Sequence, residues 1–276
     1  MTTSDSKSPL RPHWSGHLQE IREQLLRYGR VLVASDFDGT LSPIVEHPGD
    51  ASLETTAPEV LANIERLAPR VQLAFLSGRS LDDLTARLEQ VAHNAIFAGN
   101  HGLEIRGLGT DWRHPSATAN RRHLDELLVR FRDLLGSIPG LEIEDKGASI
   151  TLHYRRVRIS DLPVVISSVG SIELPEELRV HEGKKVFEFR PKVNWNKGSA
   201  LRKVARHLDL PDAAIVFLGD DATDEDVFRE LNSEAITVHV GLPPDVSAAK
   251  FNAVDPADAV RFLGEVFAGA GWGGGK

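Results

Sequence analysis

The segment 31–41, with the sequence VLVASDFDGTL, constrains the fold of this chain more than any other stretch. Its first four residues are all apolar, and such a short run predicts a strand that is buried on both faces, as in a parallel sheet. Asp36 and Asp38 follow at the carboxyl end of this strand, where open α/β sheets bind their ligands. Gly39 allows a sharp turn, so both side chains can face one crevice. An Asx turn would explain one of these aspartates, but it explains two of them less well.

The composition excludes several classes of function. The 276 residues include no cysteine, which excludes disulfides, a thiolate nucleophile and cysteine-bound zinc, and which fits a cytoplasmic protein. No apolar stretch reaches the roughly 20 residues of a membrane helix, and no signal-peptide core follows the polar start of the chain. The formal net charge of −8 argues against nucleic acid as a partner. We therefore expect a cytoplasmic, monomeric protein that binds a small molecule and neither a membrane nor nucleic acid.

The order of the predicted strands and helices indicates two domains. Strands alternate with helices at both ends of the chain, which predicts a Rossmann-like, doubly wound parallel sheet of the α/β class. In the middle of the chain, strands follow one another without crossover helices, which favours an antiparallel sheet with helices on one face. Since the α/β alternation resumes afterwards, we interpret the middle part as an inserted α+β domain. The predicted organisation is a disordered N-terminus at 1–14, a core at 15–106 and 191–270, an insertion at 107–190 and a flexible tail at 271–276.

Two further polar groups lie at predicted element ends in the core. Ser77 follows the second strand, and because Ser80 is the better cap for the next helix, the hydroxyl and amide of Ser77 are expected to be free to donate. Lys197 begins a later helix, where a lysine opposes the helix dipole. It is therefore either solvated or in contact with an anion.

The acidic run 218–226, LGDDATDED, follows another buried strand. Its carboxylates would repel one another unless a cation neutralises them, although Thr223 or Asp224 is expected to cap the helix that follows. Oxygen ligands without cysteine or paired histidine favour Mg²⁺ over zinc. A carboxylate nucleophile, a second carboxylate two residues away, a metal and a lysine together suit phosphoryl transfer through an aspartyl-phosphate.

These motifs resemble a known family. The sequence DFDGT after the first strand, Ser77 after the second, Lys197 at a helix start and GDDATD at 219–224 are similar, in the same order, to the four motifs of the haloacid dehalogenase (HAD) superfamily. The insertion between the serine and lysine motifs resembles the cap of one branch. Within it, the chain most resembles the trehalose-6-phosphate phosphatases, on the stretches 77–79, 98–104, 153–155, 183–188 and 219–224. The resemblance implies a HAD-like core with an inserted cap, Mg²⁺ as cofactor and hydrolysis of trehalose 6-phosphate to trehalose and phosphate.

The resemblance also implies a role for each matching residue. Asp36 is expected to be the nucleophile and Asp38 the acid–base. Ser77 and Lys197 are expected to bind the phosphoryl group. The implied Mg²⁺ site comprises Asp36, the backbone carbonyl of Asp38 and Asp220, with Asp221 and Asp224 in support. The residues expected to contact the substrate, mainly its sugar hydroxyls, are Arg79, Asn100, His101, Gly102, Arg155, Lys184 and Glu188.

Several of these residues could also have roles that do not involve a substrate. Arg155 and Lys184 could be ordinary solvated strand charges, His101 a packed loop residue, and Arg79 a clamp for the phosphate, the sugar or its own loop. A sucrose-phosphate or mannosyl-phosphoglycerate phosphatase or a phosphohexomutase would share the core motifs and differ in the cap. A non-catalytic sugar-phosphate sensor is a further alternative, against which the complete set of aspartate and lysine motifs argues.

Overall fold

The computed structural model describes residues 11–107, 109, 111–183, 185–231, 233–242 and 247–272. The strands are β1 (Val31–Ser35), β2 (Val71–Leu76), β3 (Ile96–Gly99), β4 (Glu104–Arg106), β5 (Trp112–Arg113), β6 (Glu142–Asp145), β7 (Ile150–His153), β8 (Leu178–Gly183), β9 (Val186–Pro191), β10 (Ile215–Gly219), β11 (Ile236–Val240) and β12 (Phe251–Ala253). The α-helices are α1 (Leu18–Leu26), α2 (Ala57–Glu65), α3 (Leu81–Leu88), α4 (Pro115–Ala119), α5 (Arg121–Leu135), α6 (Leu162–Gly170), α7 (Lys197–Leu208), α8 (Asp224–Glu230) and α9 (Pro256–Phe267). None of the described helices is long and apolar enough to span a membrane.

The larger sheet has eight strands in the order β12-β11-β10-β1-β2-β3-β4-β5. The strands from β12 to β3 are parallel, and β4 and β5 are antiparallel additions at one edge. All five residues of β1 are buried, as the apolar run predicts. One apolar layer includes Leu61 of α2 and Leu263 of α9, and the opposite layer includes Leu201 of α7 and Val227 of α8. Helices therefore cover both faces, which confirms the predicted α/β class.

The register of the central strands explains where the polar motifs meet. Ser35, the last residue of β1, lies opposite Phe75 of β2 and Leu218 of β10. The residues that follow these three strands therefore leave the sheet at the same edge. This edge is where Asp36, Ser77 and the acidic run come together.

The smaller sheet has four antiparallel strands in the order β6-β7-β9-β8. Helices α5 and α6 pack on one face through an apolar cluster that includes Leu128, Phe131, Ile150 and Phe189. This is the α+β arrangement predicted for the insertion. In the structure, the insertion comprises α4 to β9.

The start of the insertion differs from the predicted boundary at residue 107. Strand β5 still pairs with β4 in the larger sheet, so the chain stays with that sheet up to Arg113. Strands of two and three residues are too short to show a periodic pattern, and the sequence therefore did not reveal them.

The structure also differs from the disorder predicted at both ends of the chain. Trp14 is completely buried and makes an edge contact with Phe262, at 5.5 Å between ring centroids. Trp272 is 1 % exposed and lies against Phe267. A single indole buries enough apolar area to hold a polar segment in place, and a composition-based prediction of disorder overlooks it. Residues 1–10 and 273–276 lie outside the described residues.

Candidate active site

A buried ion-pair cluster lies at the carboxyl edge of the larger sheet. Lys197 Nζ, at the start of α7, donates to Asp36 Oδ1 after β1 at 2.7 Å and to Asp224 Oδ1 at the start of α8 at 2.9 Å. The three side chains are between 0 and 6 % exposed. Of the two alternatives for Lys197, contact with an anion is therefore the one that the structure supports.

The charges of this cluster perturb one another. Burial opposes protonation of Lys197, but Asp224 and Asp36 together raise its pKa well above the usual value for lysine. Burial raises the pKa of Asp36 well above its usual range despite Lys197, and Asp224 and Asp220 raise it further. Burial likewise raises the pKa of Asp224 to about 6. One ammonium group thus does not balance the surrounding carboxylates.

The acidic loop between β10 and α8 is held by two of its own side chains. Asp224 Oδ2 accepts from the backbone amides of Asp220 and Asp221. Asp221 Oδ1 accepts from the amide and hydroxyl of Thr223 and from the amide of Asp224. Thr223 occupies the N-cap position of α8, as expected, but its side chain makes no capping hydrogen bond. Asp221 accepts the amides of Thr223 and Asp224 instead, because its side chain reaches two and three residues ahead. Burial opposes the ionisation of Asp221, but Lys197 and these hydrogen bonds hold its pKa well below the usual range.

Three of the carboxylates can share a cation. Asp36, Asp220 and Asp224 each offer an oxygen, and these oxygens all lie within 4.8 Å of one another. Gly39 has φ +84°, and a Cβ built on it would lie 2.2 Å from Asp220 Oδ2. The missing side chain of Gly39 is therefore what lets the Asp220 carboxylate approach the turn after β1. An all-oxygen donor set with surplus negative charge fits a hard divalent cation.

Asp38 is held by Arg79. The guanidinium donates to both carboxylate oxygens, from Nε at 2.6 Å and from Nη2 at 2.7 Å. It also bonds Asp83 and the carbonyl of Pro48. Among the alternatives left open for Arg79, the structure thus supports a clamp within the site loops, with Asp38 as its partner.

Ser77 contributes less than expected. It is 1 % exposed, and its amide donates to Ala98 O in the sheet, so the amide is not free for a ligand. The hydroxyl oxygen accepts from the amide of Arg79 and keeps its own hydrogen to donate. Ser80 accepts from the amide of Asp83 and so caps α3 as predicted.

The loop 100–102 joins the larger sheet to the insertion. His101 Nε2 lies 3.1 Å from Glu188 Oε2 on β9. Asn100 Oδ1 accepts from the Ser149 hydroxyl at 2.9 Å, and Asn100 Nδ2 donates to Lys146 O at 2.9 Å. Burial opposes the ionisation of Glu188, but His101, Lys146 and nearby Arg190 hold its pKa well below the usual range. The structure thus brings together Glu188, Asn100 and His101, three of the residues that the resemblance assigns to the substrate.

Two residues at this junction were missed by sequence reasoning. Lys146 Nζ donates to Gly78 O at 2.9 Å and lies 3.8 Å from Glu188 Oε1, and Ser149 bonds Asn100. Both belong to the turn between β6 and β7. The pair Lys146-Gly147 marks a turn in the sequence, but which turns of the insertion face the larger sheet is decided by tertiary packing.

Arg155 and Lys184 are the other two residues of the insertion expected to contact the sugar. Arg155 is exposed, and its Nη1 donates to Val45 O, in the segment that follows the Asp38 turn, at 3.0 Å. It therefore joins the insertion to the larger sheet at a second place. Lys184 lies outside the described residues.

Comparison with known sequences identifies the family. The trehalose-phosphatase family profile matches residues 34–263. The chain belongs to the trehalose-phosphatase family. It is 35 % identical over 268 residues to the trehalose-phosphate phosphatase of Mycobacterium marinum, covering 91 % of this chain and 67 % of that protein. It is 36 % identical over 234 residues to that of Mycobacterium tuberculosis H37Rv, covering 82 % of this chain and 59 % of that protein. The chain thus spans about two thirds of these relatives or less.

Solved structures show the same fold. The C-terminal domain of trehalose-6-phosphate phosphatase from Candida albicans superposes with a TM-score of 0.76 at 23 % identity, covering 94 % of this chain and 98 % of that one. A haloacid dehalogenase-like hydrolase from Bacteroides thetaiotaomicron superposes with a TM-score of 0.63 at 14 % identity, covering 86 % of this chain and 100 % of that one. The HAD-like architecture and the family resemblance predicted from the motifs are confirmed.

Proposed function

We propose that this trehalose-phosphatase family member hydrolyses trehalose 6-phosphate to trehalose and phosphate through an aspartyl-phosphate on Asp36. The observation that carries the proposal is the buried contact of Asp36 with Lys197, beside an acidic loop at the carboxyl edge of the sheet. An ammonium group that holds one oxygen of a carboxylate also lies where it can bind a phosphoryl oxygen. A cytoplasmic location, which the cysteine-free sequence fits, and a monomeric state belong to the same proposal.

The cofactor in this proposal is Mg²⁺. Asp36 and Asp220 would hold it together with the backbone carbonyl of Asp38, while Asp224 would hold Lys197 and lie beside the ion. The raised pKa values of Asp36 and Asp224 support a cation here, because a positive charge would stabilise both carboxylates in their ionised form. When bound, Mg²⁺ supplies charge neutralisation for the phosphoryl oxygens.

The residues of the chain would divide the reaction between them. The Asp36 carboxylate attacks phosphorus, while Lys197 and the Ser77 hydroxyl bind the phosphoryl oxygens. Asp38 protonates the departing sugar oxygen and later accepts a proton from the attacking water. Arg79 would fix the orientation of Asp38 through its two hydrogen bonds.

The insertion would select the sugar. Three residues of the insertion contact loops of the larger sheet. Glu188 contacts His101, Lys146 donates to Gly78 O, and Arg155 donates to Val45 O. Carboxylate and guanidinium groups make paired hydrogen bonds to neighbouring sugar hydroxyls, and an ammonium group donates to single ones. We propose that the insertion is a cap that covers the crevice and contacts the part of the substrate beyond the phosphate.

Release of inorganic phosphate from a panel of sugar phosphates tests the proposal. Trehalose 6-phosphate should be hydrolysed fastest, and sucrose 6-phosphate and mannosyl-phosphoglycerate much more slowly. Excess EDTA should abolish the activity, and added Mg²⁺ should restore it. A preference for another substrate would favour a different sugar-phosphate phosphatase, and complete inactivity with tight binding would favour a sensor.

The roles of the two aspartates can be separated with a nitrophenyl phosphate, which has a good leaving group. Asp36→Asn should form no phosphoenzyme from it, because the nucleophile is gone. Asp38→Asn should still be phosphorylated, since this leaving group needs no acid. Identical results for the two variants in single-turnover trapping would contradict the assignment.

A further inference from the structure

The two connections between the larger sheet and the insertion meet in an aromatic cluster. Trp112 lies in the edge strand β5, His114 lies on the outgoing connection that follows it, and Trp195 lies on the returning connection. The Trp195 ring centroid is 5.1 Å from that of Trp112 and 5.1 Å from that of His114. Trp195 thus lies where the two connections between the larger sheet and the insertion meet.

The same tryptophan binds the loop that carries His101. Trp195 Nε1 donates to Gly102 O at 2.8 Å. Asn100, His101 and Gly102 all have positive φ, at 50°, 55° and 85°. Asparagine and histidine in this left-handed region are unfavourable and persist only where their surroundings hold them.

The loop is held from three sides. The amides of Asn100 and His101 donate to Arg79 O and Ser77 O in the larger sheet's own loops. The side chains of Asn100 and His101 meet the insertion, as described above. The indole N–H of Trp195, on the returning connection, holds the carbonyl of Gly102 at the end of the loop.

Trp195 also packs toward the turn that carries Lys146 and Ser149. It lies against a small apolar cluster formed by Leu103, Ala117 and Ala148, which come from the larger sheet, from α4 and from the β6–β7 turn. One side chain therefore contacts both parts of the junction at which Asn100 meets Ser149.

We propose that Trp195 is a positioning residue for substrate selection: its indole N–H keeps the loop 100–102 in the conformation in which His101 and Asn100 meet Glu188 and Ser149. The proposal rests on the proposed function, because it assigns this junction to the sugar. Trp195 precedes Lys197 by two residues, so a role in the chemical step is the competing hypothesis.

The variant Trp195→Phe removes the N–H and keeps an aromatic ring, and Trp112→Phe is the matched control in the same cluster. Loss of one hydrogen bond to a neutral carbonyl should raise KM for trehalose 6-phosphate about two- to tenfold in Trp195→Phe. The kcat/KM for a nitrophenyl phosphate should change less than about twofold, because this substrate does not reach the junction. Trp112→Phe should resemble the unchanged protein on both substrates.

Equal losses on both substrates would overturn the proposal, since they would place the effect on Lys197. Unchanged KM would overturn it as well. Failure of the unchanged protein to hydrolyse trehalose 6-phosphate would contradict the proposed function, and a second measurement then decides about Trp195. Amide hydrogen exchange in the segment 99–104 should be faster in Trp195→Phe than in Trp112→Phe, and equal exchange would contradict the positioning role whatever the substrate.

Discussion

Lys197 bonds two carboxylates at once, those of Asp36 and Asp224. Two more carboxylates lie nearby: Asp220 and Asp221 both raise the pKa of Asp36, and Asp221 also raises the pKa of Lys197. Lysine alone therefore leaves the site with surplus negative charge. In a water-poor environment such a surplus is removed by a bound proton or by a metal ion. Protons and the metal ion compete for the same carboxylates, and metal binding at this site should therefore depend on pH.

Stabilisation by Mg²⁺ should increase with pH. The pKa of Asp224 is about 6 in the folded chain, against about 3.9 when unfolded. Between these values the folded state binds a proton that the unfolded chain has lost, so stability without metal falls as pH rises. In the proposed site Mg²⁺ would replace this proton, and the rise in Tm on adding it should be larger at about pH 7.5 than at about pH 5. Thermal unfolding in EDTA and in Mg²⁺ measures this rise in Tm at each pH. An equal rise at both pH values would contradict the assigned site.

Arg79 should act on catalysis through Asp38. Arg79→Lys cannot reproduce the paired hydrogen bonds, and kcat should fall about 10- to 100-fold, with a smaller change in KM. Arg87→Lys is the matched control, because Arg87 bonds Asp83 and nearby carbonyls but not Asp38. Similar losses in both variants would mean that Arg79 only holds the loops together.

At the scale of elements, the site consists of strand ends. Strands β1, β2 and β10 are neighbours in register, so the turns after them converge. The turn after β1 must also make room for the acidic loop after β10. Gly39 allows the sharp turn because it adopts a positive φ, and it leaves room for the acidic loop because it has no side chain to meet Asp220.

Gly39→Ala should therefore remove more than backbone freedom. A Cβ at positive φ costs about 1–2 kcal/mol, and here it would also overlap the Asp220 carboxylate. We expect activity and stabilisation by Mg²⁺ to be lost together. Gly269→Ala is the control: φ is +86°, but the nearest atom to its Cβ, Arg22 Nη2, is 3.7 Å away. It should lower Tm slightly and leave activity intact, and equal activities of the two variants would contradict the role of Gly39.

At the scale of the whole molecule, two sheets with separate apolar cores meet through polar contacts and a small apolar cluster beside Trp195. Glu188 lies between His101, Lys146 and Ser149, and it is 4 % exposed. A buried carboxylate at such a junction either holds the two parts together or binds a ligand between them. Substrates of different size distinguish these roles.

Glu188→Gln should reduce kcat/KM for trehalose 6-phosphate about 10- to 100-fold, because the charged acceptor of a hydrogen bond from a sugar hydroxyl is lost. With a small aryl phosphate the loss should be much smaller. Glu182→Gln on β8, where the side chain is exposed, should leave both activities unchanged. A fall in Tm with equal losses on both substrates would assign Glu188 to holding the fold.

The elements that carry the motifs could be predicted from the sequence because their signals are local. A buried strand such as β1 is visible in the sequence as an unbroken apolar run, and Ser80 is visible as a helix cap. Polar groups at the ends of elements mark the site: Asp36, Lys197 and the acidic run. Topology then requires these ends to meet, because parallel neighbours finish at one edge.

Only the tertiary structure decided how the charges are paired and how the insertion meets the larger sheet. Asp38 binds Arg79, and Lys146 reaches Gly78 across the junction. Such contacts join residues that are distant in the chain, and a polar side chain on a turn has the same local sequence whether it faces water or a partner. The burial of Trp14 could not be predicted for the same reason, because Phe262, which packs against it, lies in α9 near the other end of the chain.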